Sequence, residues 1–270
     1  MNLENCRKEL LAQGVETEEI TVIKNGVECR GIRIIDSNGG TVSPVVYYSE
    51  EDTIEEFENR ISSALSVNMP INVDLVRDWN YIRKNLYISI QRRSEEKIVK
   101  KQYLNLDLTM RVYFDINGST GTAKVTPALI EATGVAEEVF WKTAIANSRS
   151  KYHIVSLAQM FDIDDVKDNG MYVVIADDLI DGASSLFYAS IFEDFCRDHR
   201  EESCYILPSS REEVIVMPES MVIEGGIDVA ELAGLVRTIN AEQVDPIIQL
   251  EAVVYAYRLA DGEIEIVARS

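Results

Sequence analysis

Apolar residues are most densely ordered between 170 and 219, GMYVVIADDLIDGASSLFYASIFEDFCRDHREESCYILPSSREEVIVMPE. They run unbroken over 171–176, the length of a strand. Over 182–197 they recur at helical spacing, with Ala183, Leu186, Phe187, Ala189, Ile191, Phe192 and Phe195 in register. Two short runs, 204–207 and 214–217, flank Pro208-Ser209-Ser210, a turn signal. The unit reads strand, helix, strand, tight turn, strand, and is expected to form the core of the C-terminal half.

The same reading extends along the chain. Residues 3–13 suit a short amphipathic helix. Ile20 to Ile35 reads as a hairpin around Asn25-Gly26, because a two-residue type I′ turn needs positive φ at both positions. TVSPVVYYS (41–49) is a third strand, with Pro44 pointing to a sheet edge. Residues 52–65 read as a helix opened by an Asp52/Glu55 capping box. A boundary falls at 66–72, and 73–84 is expected to be helical. Strands are expected at 86–90 and 106–114, with the basic segment QRRSEEKIVKK between them read as a solvated face or connector. Asn117 to Thr122 (NGSTGT) reads as a β-turn, since neither a phosphate loop nor GxGxxG follows. Thr126-Pro127 opens a helix that Gly134 ends, and 137–148 forms the next. A strand is expected at 153–158, a loop at 221–226, a helix at 228–240 capped by Asp228 and Glu231, and a final strand pair at 249–259 and 263–268 joined at Asp261-Gly262. Paired strands alternating with single helices argue an α+β fold with largely antiparallel sheets. It divides into an N-terminal subdomain, 1–66, and a larger one, 73–270.

Composition narrows the function classes. With 46% hydrophobic and 27% charged residues the chain has the makeup of a folded globular protein. A formal net charge of −20 argues against direct nucleic-acid binding, which needs clustered cations to displace counterions. The acidic loop FDIDDVKDNG does not fit calcium: with Gly170 as the loop glycine, Lys167 falls on a ligand position. Four cysteines (Cys6, Cys29, Cys196, Cys204) and two histidines (His153, His199) form no zinc-ligand spacing. No metal or other cofactor is expected. The charged first residues resemble no secretion signal, and no apolar run approaches a bilayer's span of about 20 residues, so a cytoplasmic protein is expected.

Several stretches are similar to a known family. They are VTPALI with EEVFWKTAIANS (125–148), MYVVIADDLIDGASSLFY (171–188) and YILPSSREEVIVMP (205–218), joined by the N-terminal KNGV and SPVVYY. Together they resemble an uncharacterised bacterial family, a domain of unknown function common in anaerobic Gram-positive bacteria. The resemblance implies one integrated fold over most of the chain and no activity. The family pattern places His where this chain has Glu212, so a catalytic role for that His would be lost here.

The candidate site residues cluster near 208–213. Ser209 and Ser210 are the candidate nucleophiles, but no G-x-S-x-G elbow surrounds them, and turn hydrogen bonding accounts for the pair. Glu213 is a candidate acid or base. Adjacent Glu212 and Glu213 point to opposite faces of a strand, with Glu213 placed to pair with Arg211. Asn147, Arg211 and Glu212 are candidate binding residues on the surface. Asp177, Asp178 and Asp181 read as carboxylates compensating a helix dipole. Cys196 and Cys204 read as packing residues, and His199 as an exposed helix end. The favoured reading is a non-enzymatic module that binds another protein, in an accessory or regulatory role. The alternatives are a degenerate hydrolase using the 208–213 turn, which would bring a serine near His153, and an acidic decoy of nucleic acid. Homodimerisation through a sheet edge near Pro44 or in the final hairpin is a further expectation.

Overall fold

A computed structural model describes residues 3–35, 45–48, 52–66, 75, 77–116, 119–160, 170–177, 180–208 and 210–270. The first unit comprises α1 (Leu3–Ala12), β1 (Glu16–Lys24), β2 (Val27–Ile35), β3 (Val45–Tyr47) and α2 (Ile54–Ser66). Next come α3 (Trp79–Ile82), β4 (Leu86–Arg92), β5 (Lys100–Tyr103), β6 (Leu106–Ile116), β7 (Ser119–Lys124), α4 (Pro127–Thr133) and α5 (Glu137–Ser148). The remainder holds β8 (Tyr152–Ser156), α6 (Leu157–Met160), β9 (Tyr172–Ala176), a 3-10 helix (Gly182–Phe187), α7 (Ala189–His199), β10 (Ser203–Leu207), β11 (Val214–Pro218), α8 (Glu219–Glu224), α9 (Val229–Gln243), β12 (Val253–Arg258) and β13 (Glu263–Arg269).

The strands form three antiparallel sheets, making the fold α+β. One is three-stranded in the order β1-β2-β3. A second is six-stranded in the order β13-β12-β10-β11-β9-β8. In the third, β6 pairs with β4, β5 and β7. Among the described residues no helix is long and apolar enough to cross a membrane.

Local chemistry accounts for several element ends. Asn25 and Gly26 take φ of 52° and 74°, the two positive values a type I′ turn needs, and lock β1 to β2 without a slip. Thr126 accepts a hydrogen bond from Leu129 N, Pro127 opens α4, and Gly134 ends it at φ 67°. Asp228 caps α9 through Ala230 N.

Several expectations change. Residues 119–122 of the expected turn belong to β7, the strand expected at 153–158 gives way to α6 at Leu157, and of the helix expected over 73–84 the described α-helical part is α3 at Trp79–Ile82. The capping box of α2 lies one residue later than expected: Thr53 and Glu56 bond each other's backbone N–H, while Asp52 pairs with Arg60. The helix expected over 182–197 is split at Tyr188, because Gly182 and Ala183 donate their N–H groups sideways to Glu212 O and Arg211 O rather than along a helix. Residues 219–224 are helical, not loop. The basic segment begins in β4 and ends in β5, whose Lys100 pairs with Asp107 of β6 at 2.9 Å. Pro44, Ser209, Asp178, the loop 161–169 and the boundary at 67–72 lie outside the described residues.

Three apolar clusters hold these layers. α1 and α2 bury Leu10, Phe57 and Ile61 against Ile32, Ile34 and Val46 of the first sheet. The largest cluster joins β4 and β6 to α5, α7 and the six-stranded sheet through Ile88, Met110, Phe140, Phe192, Ile206 and Tyr255. α8 and α9 cover the other face of that sheet with Val222, Leu232 and Val236 on Leu207, Met217 and Val254.

The first unit is tied to the rest by its hairpin tip. Asn25, only 4% exposed, donates from Nδ2 to Gln249 O at 2.6 Å and accepts at Oδ1 from Arg92 N at 2.7 Å. Its backbone N–H donates to Glu96 Oε1 at 2.5 Å, and its carbonyl accepts from Arg92 Nε at 3.2 Å. A turn residue chosen for positive φ therefore also serves as the connector.

Candidate functional site

The backbone of residues 210–212 is held by hydrogen bonds to its neighbours. Ser210 is buried, and its hydroxyl accepts from Glu212 N at 3.1 Å, closing a serine turn. Arg211 N donates to Ile248 O at 2.8 Å, and Arg211 O and Glu212 O accept the N–H groups of Ala183 and Gly182. Gly182 is needed there, because a Cβ would overlap Glu212 O and lie 3.1 Å from Val174 O. The exposed Glu212 side chain projects from this clasp. Burial, and then the neighbouring Glu212 charge, hold the Glu213 carboxyl above its ordinary range.

Arg211 does not pair with Glu213. Its Nε lies 2.8 Å from Asp181 Oδ1, an ion contact without hydrogen-bond alignment. Asp181 is not a helix cap either, since it makes no side-chain capping bond. It is 2% exposed, takes φ of 61°, and accepts from Ser89 Oγ at 2.8 Å and Tyr113 OH at 2.9 Å, with Arg111 Nε at 3.8 Å. Burial lowers the Arg111 pKa and the Asp181 charge opposes that shift. Two guanidiniums around one carboxylate form a buried ionic centre between the sheets. Asn147 lies elsewhere, half-buried, where its Nδ2 bonds Arg83 O and Leu86 O at 2.9 Å and ties α5 to β4. Cys196 and Cys204 are buried in the main core as free thiols; a hydrogen bond between them lowers the first and, with burial, raises the second.

The open chemistry is gathered in a different place. β8, β9 and α7 border a surface cleft of about 490 Å³ whose lining includes His153, Tyr172, Asp194, Phe195, Asp198 and His199, with Tyr152 beside them. Both histidines of the chain therefore meet in one cleft, from segments far apart in sequence. Helical spacing aligns Asp194, Asp198 and His199 on the exposed side of α7, while Phe192 and Cys196 face the core.

The aromatic groups of the cleft form one cluster. The Tyr172 ring stands edge-on to Phe195 at 5.0 Å and to His199 at 4.7 Å, and Phe195 and His199 are 4.2 Å apart. His199 Nδ1 donates to Phe195 O at 2.9 Å, which fixes the proton on Nδ1 and leaves Nε2 as the acceptor in the neutral ring. His153 Nε2 lies 2.5 Å from Asp177 Oδ1, both groups exposed. Burial raises the Tyr152 phenol well above its ordinary range and keeps it a neutral donor. Ser210 is not among the lining residues, so the cleft does not unite it with His153.

Among the described residues no three His, Cys, Asp or Glu side chains converge to hold a metal ion. The arrangement instead places carboxylates and aromatic rings in the lining of one cleft, a combination that attracts organic cations. The sequence reading passed over Asp194, Asp198 and Tyr172. The available signal was the Asp194-x-x-x-Asp198-His199 spacing on a helix whose opposite face is apolar.

A search of curated proteins and of solved structures finds no match to this chain. A model of a protein family does match, over residues 1–259. The 208–213 clasp, the buried ionic centre and the cleft all fall inside that span, and the chain belongs to this family, a family of unknown function designated DUF5688.

Proposed function

We propose that the protein is a non-enzymatic binding module that captures a basic segment of a partner protein in the cleft between β8, β9 and α7. One observation carries this reading: the cleft sets the carboxylates of Asp194 and Asp198 beside the aromatic cluster of Tyr172, Phe195 and His199. A Lys or Arg side chain suits such a site, its alkyl stem lying on the rings and its charge on the carboxylates. The net charge of −20 would steer a basic partner toward the protein.

The test is calorimetric titration with acetyl-(Gly-Arg)4-amide at low and physiological salt, with a Gly-Glu peptide of equal length as control. The Arg peptide should bind and the Glu peptide should not. Asp194→Asn with Asp198→Asn should weaken binding about tenfold, two exposed ion pairs contributing up to about 1 kcal/mol each. Glu131→Gln with Glu138→Gln removes the same charge from exposed positions on α4 and α5. Equal weakening by both pairs would mean attraction to net charge alone and would refute the cleft.

A further inference from the structure

The sheet edges of this protein are treated unequally. β4, at one edge of its sheet, has its outward groups bonded: Ile88 N to Ser148 Oγ at 2.9 Å, Leu86 O by Asn147, and Arg92 N to Asn25 Oδ1. β13 is broken by a register shift opposite Val254 and Tyr255, which interrupts a straight edge. β3, β5, β7 and β8 are shorter than β1, at three, four, six and five residues. β1 is different. It ends its sheet, runs nine residues and pairs with β2 in unbroken register from Glu16↔Ile35 to Lys24↔Val27. It contains no proline and no bulge.

The hairpin turn decides which backbone groups of β1 are open. In a two-residue hairpin the flanking pair, Lys24↔Val27, exchanges both hydrogen bonds. The even-numbered residues of β1 therefore bond to β2. Thr17, Glu19, Thr21 and Ile23 direct N–H and C=O away from it. Arg30, opposite Thr21, turns its carbonyl the other way, to Tyr48 N at 3.0 Å, as this alternation requires. At one end Thr17 O accepts from Arg7 at 3.0 Å, which leaves it a second lone pair.

We infer that β1 is a dimerisation edge whose partner is a second copy of this chain, paired antiparallel about a two-fold axis through Ile20. In that register the whole strand overlaps its copy. Thr17 lies opposite Ile23 and Glu19 opposite Thr21, outward groups facing outward groups, giving about eight inter-chain hydrogen bonds. Glu16 lies opposite Lys24 at both ends, an acid against a base. Among the described residues neither is in an ion pair, whereas Glu18 and Glu19 are already paired with Arg33 and Arg30 in their own sheet. No acid faces an acid. Moving the axis to Glu19 sets two carboxylates against each other, and moving it to Thr21 pushes Thr17 onto Asn25, which is engaged in the body of the protein. The strand is thus complementary to itself in one register. The two three-stranded sheets become a single six-stranded sheet with α1 and α2 of each copy on one face.

Sedimentation velocity over about 1–300 μM tests the inference. The expected result is a mass rising from 30.4 kDa toward twice that value. Thr21→Pro removes one outward N–H per copy at an edge position that tolerates proline, and should weaken association at least tenfold while the thermal transition persists. Lys24→Glu sets acid against acid and should also weaken it, and Glu16→Lys with Lys24→Glu should restore it. If Thr21→Pro does not fold, the charge exchange carries the test alone. A 30.4 kDa species at every concentration would overturn the inference. A dimer indifferent to the substitutions would overturn it too.

Discussion

Replacing Asp181 by Asn probes the buried ionic centre with little change of shape. Asn is tolerated at positive φ, so the backbone at 61° is not strained by the change. The perturbation is electrostatic. Asp181 accepts from Ser89 and Tyr113 and faces Arg211 at 2.8 Å and Arg111 at 3.8 Å. Removing its charge leaves two guanidiniums with no carboxylate between the sheets and turns an amide N–H₂ toward donors. Breaking a buried pair by removing one partner costs about 3–5 kcal/mol. The second guanidinium and the weakened hydrogen bonds argue for the upper half of that range. A domain's whole stability is about 5–15 kcal/mol, so the variant should lose about a quarter or more of it. Urea unfolding followed by far-UV circular dichroism measures the change as a lower midpoint at similar slope. Replacing Arg111 and Arg211 by Met in the Asp181→Asn background keeps a tolerated residue at positive φ and should recover most of the loss, since no charge is then left unpaired. A loss below about 1 kcal/mol for Asp181→Asn would refute the reasoning, because it would mean that water reaches the centre.

Three further substitutions test other parts of the fold. Asn25→Ala deletes the bonds to Gln249 O and Arg92 N and places Ala at positive φ, and should cost about 2–4 kcal/mol, read by denaturation together with faster amide exchange at Arg92. Gly182→Ala forces a Cβ onto the Glu212 and Val174 carbonyls, both backbone and unable to rotate away, so a loss of at least about 2 kcal/mol is expected in urea. Glu213 has its folded pKa raised above the ordinary 4.5 by burial, so the stability it contributes is complete below the unfolded value and is lost as pH rises through the folded one. Glu213→Gln should therefore raise the melting temperature at pH 7 and lose that advantage toward pH 4, and an equal shift at both pH values would contradict the assignment.

Local signals made much of this fold legible. Asn25-Gly26 specified a turn through φ alone, and Thr126-Pro127 with Gly134 bounded α4, because each acts on residues within a few positions. The family resemblance was legible from the 171–188 and 205–218 stretches, and the family match extends it over 1–259. What failed depends on contacts distant in sequence. Gly182 and Ala183 give their N–H groups to residues about thirty positions away, so helical periodicity there misled. Asp181 looked like a helix-start carboxylate, and only the approach of Ser89, Tyr113 and Arg211 makes it an ionic centre. Arg211 and Glu212 stood out in a turn motif whose backbone proves to be a clasp, while of the cleft residues only His153 and His199 stood out, each alone, and Tyr172, Asp194 and Asp198 gained meaning only when β8, β9 and α7 met. Thr53 displaced Asp52 as the cap because both are good caps one residue apart.

The most direct test of the binding reading uses the scarcity of histidine. His153 and His199 are the only two in the chain and both line the cleft, so an imidazole ¹H–¹⁵N spectrum contains reporters from this site alone. Titration with acetyl-(Gly-Arg)4-amide at physiological salt should move both resonances along a saturable curve, and Asp194→Asn with Asp198→Asn should suppress the movement. Resonances that stay fixed while calorimetry reports binding would place the basic segment elsewhere on the protein and contradict the account.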